Sequence, residues 1–295
     1  MITDVALLIN PAARRGRAGG VARDFAAELR RAGVTVRELV GSGPVESARF
    51  AATAVREGCG ALVACGGDGI VHVALQAVAG TAVPFGVMAA GAGNDFARAT
   101  GLPLADASSA ATVVLDGHVR SVDLARAGER WFGTVLAAGF DSLVADRMNR
   151  MRWPSGALRY HAAIVAELAM FRPLPFVLEV DGVRRELEAM LVAVGNGDSY
   201  GGGMRICPAA VLDDGLLDVT VVTRIGRAKL VRLLPTVYPG RHVLRPEVLT
   251  FRCSSVSLSC PGVTAYADGE FVATLPVSCA VVPGALRVLV PKWLR

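Results

Sequence analysis

The feature that most limits the fold is the alternation, over residues 5–91, of short apolar runs with amphipathic ones. VALLIN (5–10), VTVRELV (34–40), ALVAC (61–65) and PFGVMAAG (84–91) have the length and apolar content of strands. Between the first two, VARDFAAELRRAG places Val21, Phe25 and Leu29 at helical spacing and stops at Gly33. Further helices are expected from Pro44 to Glu57 and from about Ile70 to Ala79. This rhythm calls for a parallel sheet covered on both faces, with ligands at the carboxyl ends of the strands. Three loops leave those ends: Asn10–Arg17, Gly66–Gly69 and Gly91–Asp95.

After about Asp123 the texture changes. WFGTVLAAGF, FVLEVDG, ELEAMLVAVGNG, GLLDVTVVT, VLTFRC, SVSLSC, GVTAYADGE and ALRVLV read as successive strands, with helical interruptions near 141–170 and 226–236. Antiparallel pairing is expected there. A chain of 295 residues suits two domains. The expected division is an α/β domain at 1–123 and a β-rich domain at 124–285, with the tail at 286–295 returning to the first.

Composition excludes more than it selects. The chain is 53% hydrophobic with a mean hydropathy of +0.45, yet no apolar run approaches the roughly 18 residues of a spanning helix. The most apolar helical stretch, HAAIVAELAMF at 161–171, carries Glu167. MITDVALLINP lacks the positive start and cleavage site of an export signal, so a cytoplasmic location is expected. Six cysteines without a C-x-x-C pair read as reduced core residues. The net charge of +5 is compatible with nucleic acid, anionic lipid or phosphorylated ligands and does not choose among them.

The loops carry the chemistry. Gly66-Gly67-Asp68-Gly69 is not a G-x-x-x-x-G-K-[ST] loop, and GAGNDF at 91–96 fails G-x-G-x-x-G at its last position. What remains is a glycine-rich strand-to-helix turn, whose free amides attract phosphate. Asp68 would repel a bare phosphate. Either a divalent cation stands between the two, or Asp68 caps the helix beginning near Ile70. The second loop favours the cation, because GAGNDFAR places Asn94 and Asp95 at a neighbouring strand end where a second carboxylate can face the same cleft. Arg14, Arg15 and Arg17 add guanidiniums to that edge.

NPAARRGR, GGDGIVHVALQAV, PFGVMAAGAGNDFARATGLP, VDLAR, GNGDSYGGGMRICPAAVLDDGLLDV and YADGEF stand in the order of the diacylglycerol kinase catalytic-domain family, which the chain resembles over nearly its whole length. That family includes bacterial soluble lipid kinases and, more distantly, sphingosine and ceramide kinases. The resemblance implies a three-layer α/β/α nucleotide-binding domain, of the kind NAD kinases also have, joined to a C-terminal β-sandwich. It implies ATP- and Mg²⁺-dependent phosphorylation of a lipid hydroxyl, foremost diacylglycerol to phosphatidic acid.

Carried over by position, Asn10, Gly66, Gly67, Asp68, Gly69, Ile70, Gly91, Ala92 and Asn94 would meet the nucleotide. Asp68, Asp95 and Asp123 would form the catalytic Mg²⁺ network, partly through water. Val211, Asp214 and Leu216 would hold a structural metal, and Glu270 would be the general base. Read without the resemblance, the Asp-Gly pairs in DDG and ADGE are hairpin turns.

The chain departs from the family pattern at Ile70, His72 and Ala92, where a Thr, an Asn and a Thr are usual, which implies weaker or altered nucleotide contacts. No clear counterpart exists for the Thr near the end of the second strand, where Val40 and Ser42 stand. His72 itself could touch a phosphate or a metal, but His118, His161 and His242 provide no clustered partners, so it reads as an ordinary polar residue on the first turn of its helix. RMNRMRWPSGALRY (147–160), with Trp153 and Tyr160, suits contact with anionic headgroups, although a solvated helix with two packed aromatics is the plainer reading. The expected partner is therefore a lipid at a membrane surface, met peripherally, with no nucleic acid; a homodimer through an edge strand is plausible. Two rivals stand beside this reading: an NAD kinase-like enzyme, from which ADGE and PAAVLDDG point away, and a lipid- or nucleotide-binding regulator that has lost catalysis.

Overall fold

The computed structural model describes residues 2–10, 18–140, 142–144, 147, 151, 162 and 172–293. Arg14, Arg15, Arg17, Trp153 and Tyr160 lie outside the described residues, as does most of 161–171.

The alternating half folds as its periodicity demands. Strands β1 (Asp4–Ile9), β2 (Thr35–Val40), β3 (Leu62–Gly66) and β4 (Phe85–Ala89) pair in parallel in the order β2-β1-β3-β4. Every residue of β3 and β4 is buried, whereas β2 is an exposed edge. Helix α1 (Ala18–Arg31) packs with α5 (Ala107–Asp116), while α2 (Pro44–Arg56) packs with α3 (Asp68–Val78). Right-handed crossovers put α1 on one face and α2 and α3 on the other, because the chain reverses direction across the sheet after β2. That reversal creates a crevice at the carboxyl ends of β1 and β3, where Asn10 and the GGDG loop sit. A short helix, α4 (Asp95–Ala99), follows β4.

The second half is antiparallel. It contains β5 (Val119–Ala127), β6 (Arg130–Phe132), β7 (Val135–Gly139), β8 (Leu174–Val180), β9 (Val183–Gly195), β10 (Leu217–Thr223), helix α6 (Arg227–Val237), β11 (Val248–Cys253), β12 (Ser255–Ser259), β13 (Thr264–Ala267), β14 (Glu270–Thr274) and β15 (Val277–Leu289). Two long strands turn the sheet's corners. The first part of β9 pairs with β8, and its last residues pair with β7 and β10. The start of β15 pairs with β12, most of its length pairs with β5, and Val288 pairs in parallel with Phe85 of β4.

Hydrogen bonding therefore runs unbroken from one domain to the other. Leu286, Val288, Leu289 and Val290 pack into the apolar core of the α/β half, whereas Phe176, Leu178, Val219 and Leu258 belong to a separate core between the antiparallel strands. All six cysteines are buried and unpaired. Among the described residues no helix is long and apolar enough to cross a membrane.

Candidate active site

The two glycine loops touch backbone to backbone. A Cβ on Gly91 would lie 2.3 Å from Gly67 Cα, so no side chain fits between the ends of β3 and β4. The Ala90 amide donates to the Gly66 carbonyl at 2.8 Å and locks the two loops together. Gly66 has φ +153°, and a Cβ there would press within 2.8 Å of Ile70 Cγ2. Ile70, expected at the nucleotide, turns its side chain into the core instead and is 5% exposed. The Asn94 side chain is likewise engaged locally: the Gly91 amide donates to its Oδ1 at 2.9 Å, and its Nδ2 donates to the Gly91 carbonyl at 3.0 Å. With its backbone at φ +56°, Asn94 closes the second loop on itself. Asn10 follows β1, its amide bonded to the Cys65 carbonyl at the end of β3.

Asp68 does not cap its own helix α3, one of the two roles the sequence left open for it. Its carboxylate accepts from the Asn94 amide at 2.8 Å and the Asp95 amide at 2.7 Å, so it caps α4 across the crevice rather than its own helix α3. Such amides at a helix start have no partner within the helix, which makes them natural targets for a carboxylate. Asp95 reaches further: the amides of Gly202 and Gly203, in the second domain, donate to its carboxylate at 2.9 and 2.8 Å. Both acids flank Gly93, where a Cβ would stand 2.6 Å from Asp68 Oδ2 and 3.3 Å from Asp95 Oδ2.

Burial raises the Asp68 carboxyl above its ordinary value, opposed by the two amide bonds and reinforced by the charge of Asp268. Burial raises Asp95 as well, and the charge of Asp68 adds to it. A carboxyl raised by folding holds its proton longer in the native state than in the unfolded one. Its charge therefore removes stability as the pH climbs from the ordinary value of 3.8 through the raised one. Relative to wild type, Asp68→Asn is accordingly expected to gain stability across that window, as scanning calorimetry at a series of pH values would register; a difference that stays constant with pH would contradict it.

The second domain supplies the other wall. Asp268 and Gly269 form a two-residue hairpin turn with φ +52° and +84° between β13 and β14, the mirror-image turn that Asp-Gly favours. Glu270 follows at once, exposed, with its Oε1 3.2 Å from where a Cβ on Gly69 would sit. The resulting cleft, about 740 Å³, is lined by Asp68, Gly69, Ala92, Gly93, Asp95 and Glu270, among others.

Asp123 does not line this cleft. Its carboxylate accepts from the Gly215 amide at 2.7 Å and the Gly284 amide at 2.8 Å, clamping the turn before β10 to the irregularity in β15 at Pro283–Gly284. In the expected structural metal site, the Asp214 carboxylate is engaged by the Arg252 guanidinium and the Leu216 amide, so a protein cation already neutralises it. Val211 is exposed beside that turn.

Several participants escaped the sequence. Asp268 looked like turn chemistry, but its carboxylate is buried and bonded to Gly133, Thr134 and His72. His72 is not an ordinary surface polar residue but is 4% exposed. Asn196 ties the Asp123 and Gly133 carbonyls together through Nδ2, at 3.0 Å each. A glycine triplet at 201–203 signals free amides, yet nothing local says that Asp95 will receive them.

A doubly wound α/β domain and an antiparallel β domain that meet over one acidic, glycine-walled cleft define a two-domain kinase fold. Residues 4–127 match the diacylglycerol kinase catalytic domain, and residues 134–290 match the YegS C-terminal NAD kinase beta sandwich-like domain. The chain is 46% identical to a diacylglycerol kinase of Mycobacterium tuberculosis (strain CDC 1551 / Oshkosh), over 99% of this chain and 96% of that protein. A diacylglycerol kinase structure from Bacillus anthracis str. Sterne superposes with a TM-score of 0.75 at 20% identity, covering 99% of this chain and 98% of that one. An NAD kinase from Archaeoglobus fulgidus in complex with ATP shares the fold at a TM-score of 0.58 and 12% identity, covering 99% and 95%. This chain belongs to the diacylglycerol kinase family of lipid kinases.

Proposed function

We propose that the protein transfers the γ-phosphoryl group of ATP, with Mg²⁺, to the hydroxyl of a membrane lipid, turning diacylglycerol into phosphatidic acid. The observation that carries this reading is Glu270 poised over Gly69, which puts a carboxylate of one domain against the glycine loop of the other. Phosphates would lie along Gly66–Gly69 and Gly91–Gly93, where backbone amides and the start of α3 favour negative charge. Asp68 and Asp95 fit a divalent cation: Mg²⁺ keeps most of its water and commonly takes one or two carboxylates together with substrate phosphates. Among the described residues no group of three His, Cys, Asp or Glu side chains gathers closely enough to hold a metal by itself. Bound there, the ion would neutralise phosphate charge.

Glu270 accepts the proton of the attacking hydroxyl. The acceptor oxygen then bonds to the γ-phosphorus as the bridging oxygen leaves with ADP. An acceptor that lives in a bilayer requires the cleft to open toward a membrane surface, so peripheral association follows from the substrate. Incubating the purified protein with labelled ATP, Mg²⁺ and either diacylglycerol vesicles or NAD tests the reading. Labelled phosphatidic acid is expected. Label on NAD instead would make it a small-molecule kinase, and no transfer to any acceptor would leave a binding protein.

A further inference from the structure

His72 lies on α3, one helical turn beyond Asp68, and its ring is enclosed where the two domains meet. Its Nδ1 is 3.3 Å from Asp268 Oδ2, with the two side chains 5% and 7% exposed. Asp268 also accepts from the Gly133 amide at 2.9 Å, the Thr134 amide at 2.9 Å and Thr134 Oγ1 at 2.6 Å. Burial alone would raise the Asp268 carboxyl, but the bonds from His72, Thr134 and Gly133 outweigh it and keep the acid ionised. An ionised carboxylate only accepts, so Nδ1 carries the proton and donates.

The geometry gives this pair a consequence for Glu270. Asp268 opens the two-residue turn that Glu270 closes, and Ala267 pairs with Glu270 across it. A turn of two residues leaves little slack between its ends. Glu270 rests over Gly69, and His72 comes three residues after Gly69 on the same helix. The hairpin is thus tied to the start of α3 at His72, and the same approach brings Glu270 beside Gly69. Of the hydrogen bonds Asp268 makes among the described residues, the one from His72 alone reaches from the α/β domain; Gly133, Thr134 and Val135 lie in or beside the link between β6 and β7.

We propose that His72 is a positioning residue for the general base: its bond to Asp268 fixes the hairpin against α3 so that Glu270 stands at the phosphoryl-transfer point. This rests on Glu270 being the base. Misplacing a reacting group by about 1 Å costs on the order of 10²-fold. His72→Leu, which keeps the apolar packing but removes the donor, is therefore expected to lower kcat by about 10- to 100-fold. The KM for nucleotide should hold, because the nucleotide loops do not pass through Asp268. His72→Asn, whose Nδ2 can stand where Nδ1 does, should restore most of the rate.

The deciding measurement repeats His72→Leu in a Glu270→Gln background. Loss of the base should make the histidine nearly irrelevant, so the second substitution should change kcat by less than about twofold. An equal loss in both backgrounds, or no rescue by His72→Asn, overturns the positioning role while leaving Glu270 as base. Full turnover by Glu270→Gln alone overturns the base and this inference with it. If His72→Leu yields no folded protein, Thr134→Val removes another donor to the same carboxylate and is judged by the same two backgrounds.

Discussion

Asp68→Ala is expected to lower lipid phosphorylation by on the order of 10³-fold, the scale on which removing one preorganised electrostatic contact to a reacting group can act. Two losses combine in that variant. The charge that would hold Mg²⁺ disappears, and the amides of Asn94 and Asp95 lose their acceptor, so the start of α4 is left unpaired in a partly buried place. An orphaned buried donor costs about 1–3 kcal/mol, so this variant should also melt at a lower temperature. Asp68→Asn separates the two effects, since its amide oxygen still accepts one of those bonds while the charge is gone. Equal loss of activity without the loss of stability would assign the rate effect to charge. Turnover by Asp68→Asn within tenfold of wild type, with unchanged Mg²⁺ dependence, would show that Asp68 serves only as the cap of α4.

Glu270→Gln should cut turnover by about 10²- to 10⁴-fold, the usual worth of a general base. Stability and nucleotide affinity should barely move, because the side chain is exposed at the start of β14 and its neighbour in the other domain is Gly69, which has no side chain to lose contact with. Steady-state kinetics with varied ATP separates the two: kcat should fall at constant KM. A fall in nucleotide affinity at constant kcat would instead make Glu270 a binding residue. Set beside Asp68→Ala, the pair distinguishes the two walls of the cleft, one acting through charge on the phosphates and the other through the acceptor's proton.

Much of this site was legible along the chain. Gly66, Gly67 and Gly91 read as glycine-rich turns whose amides attract phosphate, and the 2.3 Å approach at Gly91 adds a steric reason for glycine that only the structure shows. Asp68 and Asp95 were identifiable as acids facing one crevice, and both line it. Asp123 was grouped with them because its motif stands in the family's order, yet its oxygens went to the Gly215 and Gly284 amides. Asn94 and Ile70 were assigned to a ligand, but one completes its own loop and the other fills the core beneath Gly66. His72 looked unpartnered because the other histidines are far off; its partner proved to be a carboxylate 196 positions away.

The sequence by itself determined the elements and the turns: a period of 3.6 against 2, glycines where a side chain would collide, Asp-Gly where two residues must reverse a strand. These are consequences of backbone sterics and of which face meets water, and both act over a few residues. Which carboxylate meets which amide, and that Glu270 comes to rest on Gly69, was decided only when β15 joined the two halves through β4 and β5. A buried charge settles on whichever unpaired donors the packing leaves within reach, and those donors belong to segments that no local pattern connects.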